Sequence, residues 1–407
     1  MPVFPSAQAS PTAPGHPAAC DVLVVGAGPA GSACAQHLAR AGLSVLIADQ
    51  HAFPRDKTCG DGLIPDAHAA LRRLGVLDEV MSKAQAVQHV SCIAPRGGRV
   101  DVPGMLAVLP RRELDHILLR AAQAAGAVLL PPARFEAPLE EAGRVIGARL
   151  KMAGALHEVR ARWLVLATGA AQQAMLAAGL CDRRTPSGVA LRGYVKNDAM
   201  RGRINTLQIV WHARLAGGYG WIFPAPGGLF NIGAGYTGSY TDQAQNLREL
   251  FDAFCAVHPD ARALVESGTW ISEPKGAPLR CSLEGSRWSR PGLLATGEAI
   301  GSTYAFTGEG IGKALETGLL AAESIVEGVD DAAVRGRYDT ALKALKPRFD
   351  LYARAEHVNR HPWITDLVVW RARKSPRILR RMSGVLDETQ NPGRILSWSG
   401  VTKLMFE

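Results

Sequence analysis

The sequence predicts an α/β protein in which a parallel-sheet unit is interleaved with an antiparallel β-sheet and followed by a helical C-terminal segment. Three observations carry this. Short apolar runs of the buried parallel-strand kind occur early, midway and late: Asp21–Val25, Trp163–Ala167 and Leu293–Thr296. Between about residues 185 and 285, stretches such as Thr206–His212 and Leu229–Gly233 alternate, with turn signals between them, as antiparallel strands do. From about residue 331 the pattern is mainly helical, with breaks expected at Pro347, Pro362, Pro376 and Pro392.

In chain order, Asp21–Val25 leads into a Gly-rich turn at 26–31 and a helical stretch from Ser32 to about Ala41. Gly42 ends that helix and Ser44–Ala48 forms the next strand, completing a βαβ unit. Ala67–Leu74 and Glu113–Ala125 read as helices, the second closed by Gly126. The expected division is a disordered tail over 1–19, rich in Pro and Ala, and a discontinuous nucleotide-binding domain over 20–90, 111–184 and 286–330. A β-rich substrate domain takes 91–110 and 185–285, and a helical region takes 331–407.

Composition narrows the function classes. Of 407 residues, 47% are hydrophobic and 20% charged, which excludes global disorder. No window reaches the ~18 uninterrupted apolar residues of a membrane span. The N-terminal stretch lacks the basic start and apolar core of a secretion signal, so a cytoplasmic protein is expected. Seven scattered cysteines, without C-x-x-C or a His cluster, argue against disulfides and a metal site. The net charge of +9 is concentrated in Arg335–Arg381, where thirteen Lys/Arg face Asp339, Asp350, Glu356 and Asp366. That segment reads either as a solvated helical face or as a surface for an anionic partner.

Gly26-Ala27-Gly28-Pro29-Ala30-Gly31 is a G-x-G-x-x-G turn. It follows a strand, opens a helix and has Asp49 at the end of the next strand, the context a dinucleotide cradle requires. Gly26 permits the tight turn, Gly28 lets backbone approach a pyrophosphate, and Gly31 lets helix and strand pack closely. The helix N-terminus offers N–H donors to the phosphates. Asp49 suits ribose hydroxyls and repels a 2′-phosphate, so the expected ligand is FAD or NAD.

Further segments make the resemblance specific. Cys59-Gly60-Asp61-Gly62-Leu63, preceded by Pro54 and Lys57, resembles the P-x-x-K-x-C-G stretch of the geranylgeranyl reductase family, and its C-G-D-G-L form is similar to menaquinone side-chain reductases. Arg111-Arg112-Glu113-Leu114-Asp115 resembles R-x-x-[FL]-D. Gly297-Glu298-Ala299-Ile300-Gly301 and Thr307-Gly308-Glu309-Gly310-Ile311 resemble G-D-A-A-G and G-E-G-I, with Glu298 in place of Asp and the usual intervening Pro absent. Tyr219-Gly220-Trp221-Ile222-Phe223-Pro224 resembles Y-x-W-x-F-P.

The resemblance, from about residue 20 to 330, implies a fold like that of p-hydroxybenzoate hydroxylase and FAD as cofactor. It places Gly26, Gly28, Ala30, Gly31, Asp49, Cys59, Gly60, Arg111, Ala133, Gly169, Glu298, Gly310 and Ile311 at the cofactor. On a strand, Tyr219, Trp221 and Phe223 share one face, which suits either core packing or a wall for a hydrophobic substrate; the resemblance favours substrate. Cys59 is by itself either an inert buried thiol or a flavin neighbour; the resemblance favours the latter. The implied reaction is reduction of carbon–carbon double bonds in a polyprenyl substrate, with Cys59, Asp61 and Tyr219 as proton-donor candidates, and NAD(P)H or ferredoxin as electron source. A flavin monooxygenase is the alternative on this fold. A halogenase would need W-x-W-x-I-P, which is missing. Trp363 and Trp370 among Arg371, Arg373 and Lys374 suit peripheral contact with the inner membrane face or a docked helical cap. No nucleic-acid partner is expected.

Overall fold

The computed structural model describes residues 19–182, 185–237 and 246–390. The expected tail at 1–19 lies outside these residues except for Ala19, as do Pro392 and the end of the helical region.

The apolar run at Asp21–Val25 has no polar face, so it is stable only between other strands. The strand Ala19–Val25 indeed pairs in parallel with Val45–Ala48 on one side and with Ala155–Leu166 on the other. Leu293–Ala295 adds in parallel beyond Ala155–Leu166, and Val128–Leu129 beyond Val45–Ala48. A hairpin, Ala133–Glu141 with Arg144–Met152, pairs antiparallel with Ala155–Leu166, and Ser289–Arg290 forms an edge. The helix Pro29–Arg40 crosses to the helix Ile311–Glu327 at very short range: a Cβ at Gly318 would lie 2.3 Å from the Ala30 oxygen. Only glycine permits that crossing.

The second sheet runs Thr269–Leu279, Gly188–Lys196, Leu229–Thr237, Gly218–Ala225, Leu207–Val210, Gln85–Ile93, Arg99–Val108 and Gly62–Leu63. Its neighbours are antiparallel with one exception: Leu207–Val210 pairs in parallel with Gln85–Ile93. The chain leaves for the first sheet after Arg99–Val108 and returns at Gly188–Lys196, so the stretch from Ile93 to Leu207 is long enough for a parallel crossover. Gly62–Leu63 and Gln85–Ile93 therefore pair in the second sheet, although the sequence reading drew residues up to 90 into the nucleotide-binding part.

The C-terminal region is helical over Asp331–Ala355, Trp363–Lys374 and Pro376–Leu386. Pro362 and Pro376 stand at helix starts. Pro347 does not break its helix, contrary to expectation. It forfeits one backbone hydrogen bond, and burial of Leu342, Phe349 and Tyr352 on either side holds the helix together.

Candidate active site

A cleft of about 920 Å³ runs between the two sheets. It is lined at one end by Gly26, Gly28, Ala30, Asp49, Ala133 and Gly169, and further along by Cys59, Gly60, Asp61, Arg111, Glu298, Gly310 and Ile311. Tyr219, Trp221 and Phe223 line it too. Of the residues picked out from sequence, Gly31 alone is set back from the cleft. A Cβ there would lie 1.7 Å from the Gly26 oxygen and 3.2 Å from the Ala167 Cβ, so its place is the helix–strand contact.

At the Gly-rich turn, the Asp49 carboxylate accepts from the Ala27 N–H at 2.9 Å and the His51 N–H at 3.0 Å. Arg55 stands 3.6 Å from it. Arg111 and Arg55 converge beside Gly28, where a Cβ would meet their guanidinium groups at 3.6 and 3.7 Å. Both are held by Asp115, which takes Arg111 Nε at 2.6 Å and Nη2 at 2.8 Å, and Arg55 Nη1 at 3.0 Å. Asp115 thus serves as a buried counter-charge for two arginines. The arrangement fits a dinucleotide: a backbone cradle at a helix N-terminus, two cations beside it for a pyrophosphate, and a carboxylate at the ribose end. Thr168 adds a buried hydroxyl in the cleft wall without a partner among the described residues. At the far end, Gly310 and Ile311 open the seventeen-residue helix Ile311–Glu327, whose N-terminal amides suit an electron-rich ring edge. Glu298 sits in a turn over Gly297–Ile300, with Thr303 Oγ1 at 3.5 Å.

The loop Cys59–Gly62 is gripped from the second sheet. Arg192, fully buried, donates to the Cys59 carbonyl at 3.1 Å and the Lys57 carbonyl at 2.7 Å, and pairs with Asp56. Asn231 donates to the Cys59 carbonyl and to Asp61 Oδ2, each at 2.7 Å. Asp61 adopts a left-handed backbone with φ 65° and is fully buried; Tyr194 donates to its Oδ2 and the Arg111 N–H to its Oδ1. Burial pushes its carboxyl up to about 6, against the pull of Arg192 and these donors. Burial likewise raises the Cys59 thiol, with Arg111 opposing.

Tyr219, Trp221 and Phe223 belong to a longer aromatic series. Ring centroids are 6.4 Å apart for Phe306–Trp211, 6.0 Å for Trp211–Tyr219, 6.2 Å for Tyr219–Trp221 and 6.5 Å for Trp221–Phe223. The Tyr219 hydroxyl donates to the Thr307 carbonyl, and the Trp221 Nε1–H donates to Asn231 Oδ1 at 2.9 Å. The nearby cleft wall is apolar: Ile64, Val90, Leu207, Ile209 and Leu386. Leu386 comes from the C-terminal helices, and Ser383 of the same helix donates to the Pro103 carbonyl at 2.8 Å.

Sequence reasoning missed Arg55, Arg192, Tyr194, Asn231 and Leu386. A signal existed for three of them. Arg192 and Tyr194 stand at i and i+2 in a strand that is otherwise apolar up to its last residue, Lys196, and Asn231 interrupts the apolar run Leu229–Thr237. Polar groups on a buried face must find partners. Leu386 had none, because only tertiary packing brings it to the cleft. Among the described residues, no group of three or more His, Cys, Asp or Glu is placed to hold a metal.

The fold and the cleft together define an FAD-dependent oxidoreductase, and residues 19–212 match the FAD binding domain family. The chain belongs, more narrowly, to the geranylgeranyl reductase family. It is 34% identical over 319 residues to a menaquinone reductase of Mycobacterium tuberculosis, covering 74% of this chain and 76% of that protein. It is 30% identical over 315 residues to digeranylgeranylglycerophospholipid reductase 1 of Methanopyrus kandleri, covering 76% and 81%. Among solved structures, a geranylgeranyl bacteriochlorophyll reductase-like protein from Thermoplasma acidophilum superposes with a TM-score of 0.72 at 22% identity, over 96% of each chain. That likeness is one of fold.

Proposed function

We propose that the protein reduces carbon–carbon double bonds of a polyprenyl lipid, of geranylgeranyl or menaquinone type. The observation that carries this reading is the continuity of one cleft from the dinucleotide cradle to an apolar lobe walled by Val90, Leu207, Ile209, Trp221, Phe223 and Leu386. The names of the relatives, which speak of menaquinone and of digeranylgeranylglycerophospholipid, support the same substrate class.

FAD, when bound and reduced, supplies hydride for an unsaturated carbon. The chain's own residues bind, orient and exclude water. Asp49 and Ala133 would hold the adenosine end, Arg55 and Arg111 the pyrophosphate beside Gly28, and Glu298, Gly310 and Ile311 the flavin end. Gly60 lets the loop run bare along the aromatic wall, since a Cβ there would press on the Phe223 ring at 3.3 Å. Trp221, fixed by Asn231, and Phe223 shape a dry wall that holds the double bond in one pose. Cys59, Asp61 and Tyr219 line the same cleft as candidate proton donors. NAD(P)H or ferredoxin donates electrons transiently.

The test is product mass. Lipid incubated with protein and reductant without oxygen should gain two hydrogens per double bond. A product that forms only in air and carries an oxygen atom would assign the chain to the monooxygenases.

A lipid substrate also motivates peripheral attachment at the inner membrane face. No helix of the described residues is long and apolar enough to cross a membrane. Trp363 and Trp370 are 46% and 47% exposed, seven residues apart on one helix, and Trp370 lies 4.6 Å from Lys374 and 5.3 Å from Arg371. Trp370→Ala should weaken binding to anionic liposomes at low salt. Equal binding by variant and wild type would leave this helix as a cap on the second sheet.

A further inference from the structure

The Glu309 carboxyl of the cleft pairs with no cation among the described residues. Glu309 lines the cleft between Gly308 and Gly310. Its main chain is fixed: the Tyr304 N–H donates to the Glu309 carbonyl at 2.9 Å, and a Cβ on Gly308 would lie 2.7 Å from the Tyr219 hydroxyl. Behind it lies Lys313, only 2% exposed, which pairs with Asp66 at 3.4 Å, Glu316 at 2.8 Å and Glu388 at 2.9 Å. Glu388 also takes Arg348 and accepts from the Tyr304 hydroxyl at 2.7 Å. Four carboxyls therefore crowd around Lys313 and Arg348, and among the described residues no cation lies within ion-pair reach of Glu309.

Carboxyls crowded into one site cannot all ionise. The one without a counter-charge keeps its proton. Burial, reinforced by the charges of Asp66 and Glu388, pushes the Glu309 carboxyl up to about 8, with Thr307 and Lys313 opposing. Burial raises Asp66 only to about 6, because Lys313 pairs with it directly at 3.4 Å. The groups facing this acid are Asp66 from the helix Pro65–Arg73, Lys313 from the helix Ile311–Glu327, Glu388 after the helix Pro376–Leu386, Tyr352 from Asp331–Ala355 and Tyr219 from Gly218–Ala225. Burial raises both tyrosines, so they stay neutral.

Two of the acids picked out from sequence, Asp61 and Tyr219, are engaged. Both Asp61 oxygens accept hydrogen bonds, and the Tyr219 hydroxyl is donated to Thr307. The geometry points to Glu309 as the acid that protonates the alkene, an assignment that rests on the reductase reading. Hydride from the reduced cofactor bonds one alkene carbon. The π pair bonds the proton of Glu309 at the other carbon as the O–H bond breaks. The products are a saturated CH–CH unit and a Glu309 carboxylate, which regains its proton from water.

Glu309→Gln keeps the volume and removes the acid. The variant should retain FAD and accept electrons as the wild type does. Its reoxidation by a menaquinone without oxygen should slow by at least ~10²-fold, the usual loss on removing a general acid, and Glu309→Asp should recover part of it. Infrared spectra of the oxidised wild type should show a protonated-carboxyl band that titrates near pH 8 and is missing from E309Q. A wild type that reduces the lipid beside an E309Q that matches it, or a wild type without that band, overturns the assignment and leaves the reductase reading standing. A wild type inert toward menaquinone and geranylgeranyl lipids alike overturns the reductase reading and this assignment with it.

Discussion

The two ends of the cleft are built on opposite plans. At the nucleotide end the contacts come from a contiguous turn, Gly26–Gly31, and from charges locked together, Asp115 holding Arg111 and Arg55. Tolerances there are set by backbone, as the 1.7 Å approach at Gly31 illustrates. At the lipid end the parts are side chains drawn from separate strands and from the C-terminal helices. They meet ring to ring at 6.0–6.5 Å, with few hydrogen bonds, such as that from Trp221 to Asn231. The difference teaches that holding the cofactor and holding the substrate are separable properties of one cavity, and variants at each end should divide accordingly.

The largest effect is expected at Asp115. Asp115→Ala leaves two guanidinium groups without their shared counter-charge, and breaking a buried pair costs about 3–5 kcal/mol. Thermal stability and FAD content should fall together. Wild-type affinity for FAD in a stably folded D115A would break the comparison, since the nucleotide end would then not depend on this lock.

A smaller and more selective effect is expected at the other end. Trp221→Phe keeps a ring but leaves Asn231 Oδ1 without its donor, worth about 1–3 kcal/mol for a buried group. Turnover should drop while the flavin spectrum stays intact. A loss of FAD equal to the loss of turnover would show that the two ends are not separable.

A further effect concerns pH. A carboxyl raised to about 8 in the folded protein, as at Glu309, contributes stability that is fully present below the free value of about 4.3 and is lost as pH rises to about 8. E309Q should therefore melt with the wild type near pH 4 and above it at pH 8. Asp61 and Asp66, raised to about 6, lose their contribution earlier, between about pH 4 and 6. A melting difference between E309Q and wild type that does not change with pH would contradict the protonated state assigned to Glu309.

The same contrast governs what could be read from the sequence. The cradle was legible because its chemistry is local: a strand, a turn with fixed glycine positions and an acid one strand later. The parallel strands were legible because buried runs such as Asp21–Val25 admit one kind of environment. Tyr219, Trp221 and Phe223 showed a shared face but not what it faces. The grip of Arg192 on the Cys59 loop, the arrival of Leu386 at the cleft and that of Glu388 beside Lys313 depend on pairings across more than seventy residues, which no local pattern encodes. Pro347 failed as a break signal for the same reason, since packing overrides a local penalty.

The central claim is that one cavity passes hydride from FAD to a polyprenyl lipid. The most direct measurement mixes anaerobically reduced protein with a menaquinone or a geranylgeranyl phospholipid and follows flavin absorbance and lipid mass together. The account predicts one flavin reoxidised for each double bond saturated, with two hydrogens gained and no oxygen. Flavin that stays reduced until air is admitted, with the lipid then hydroxylated or unchanged, would contradict it.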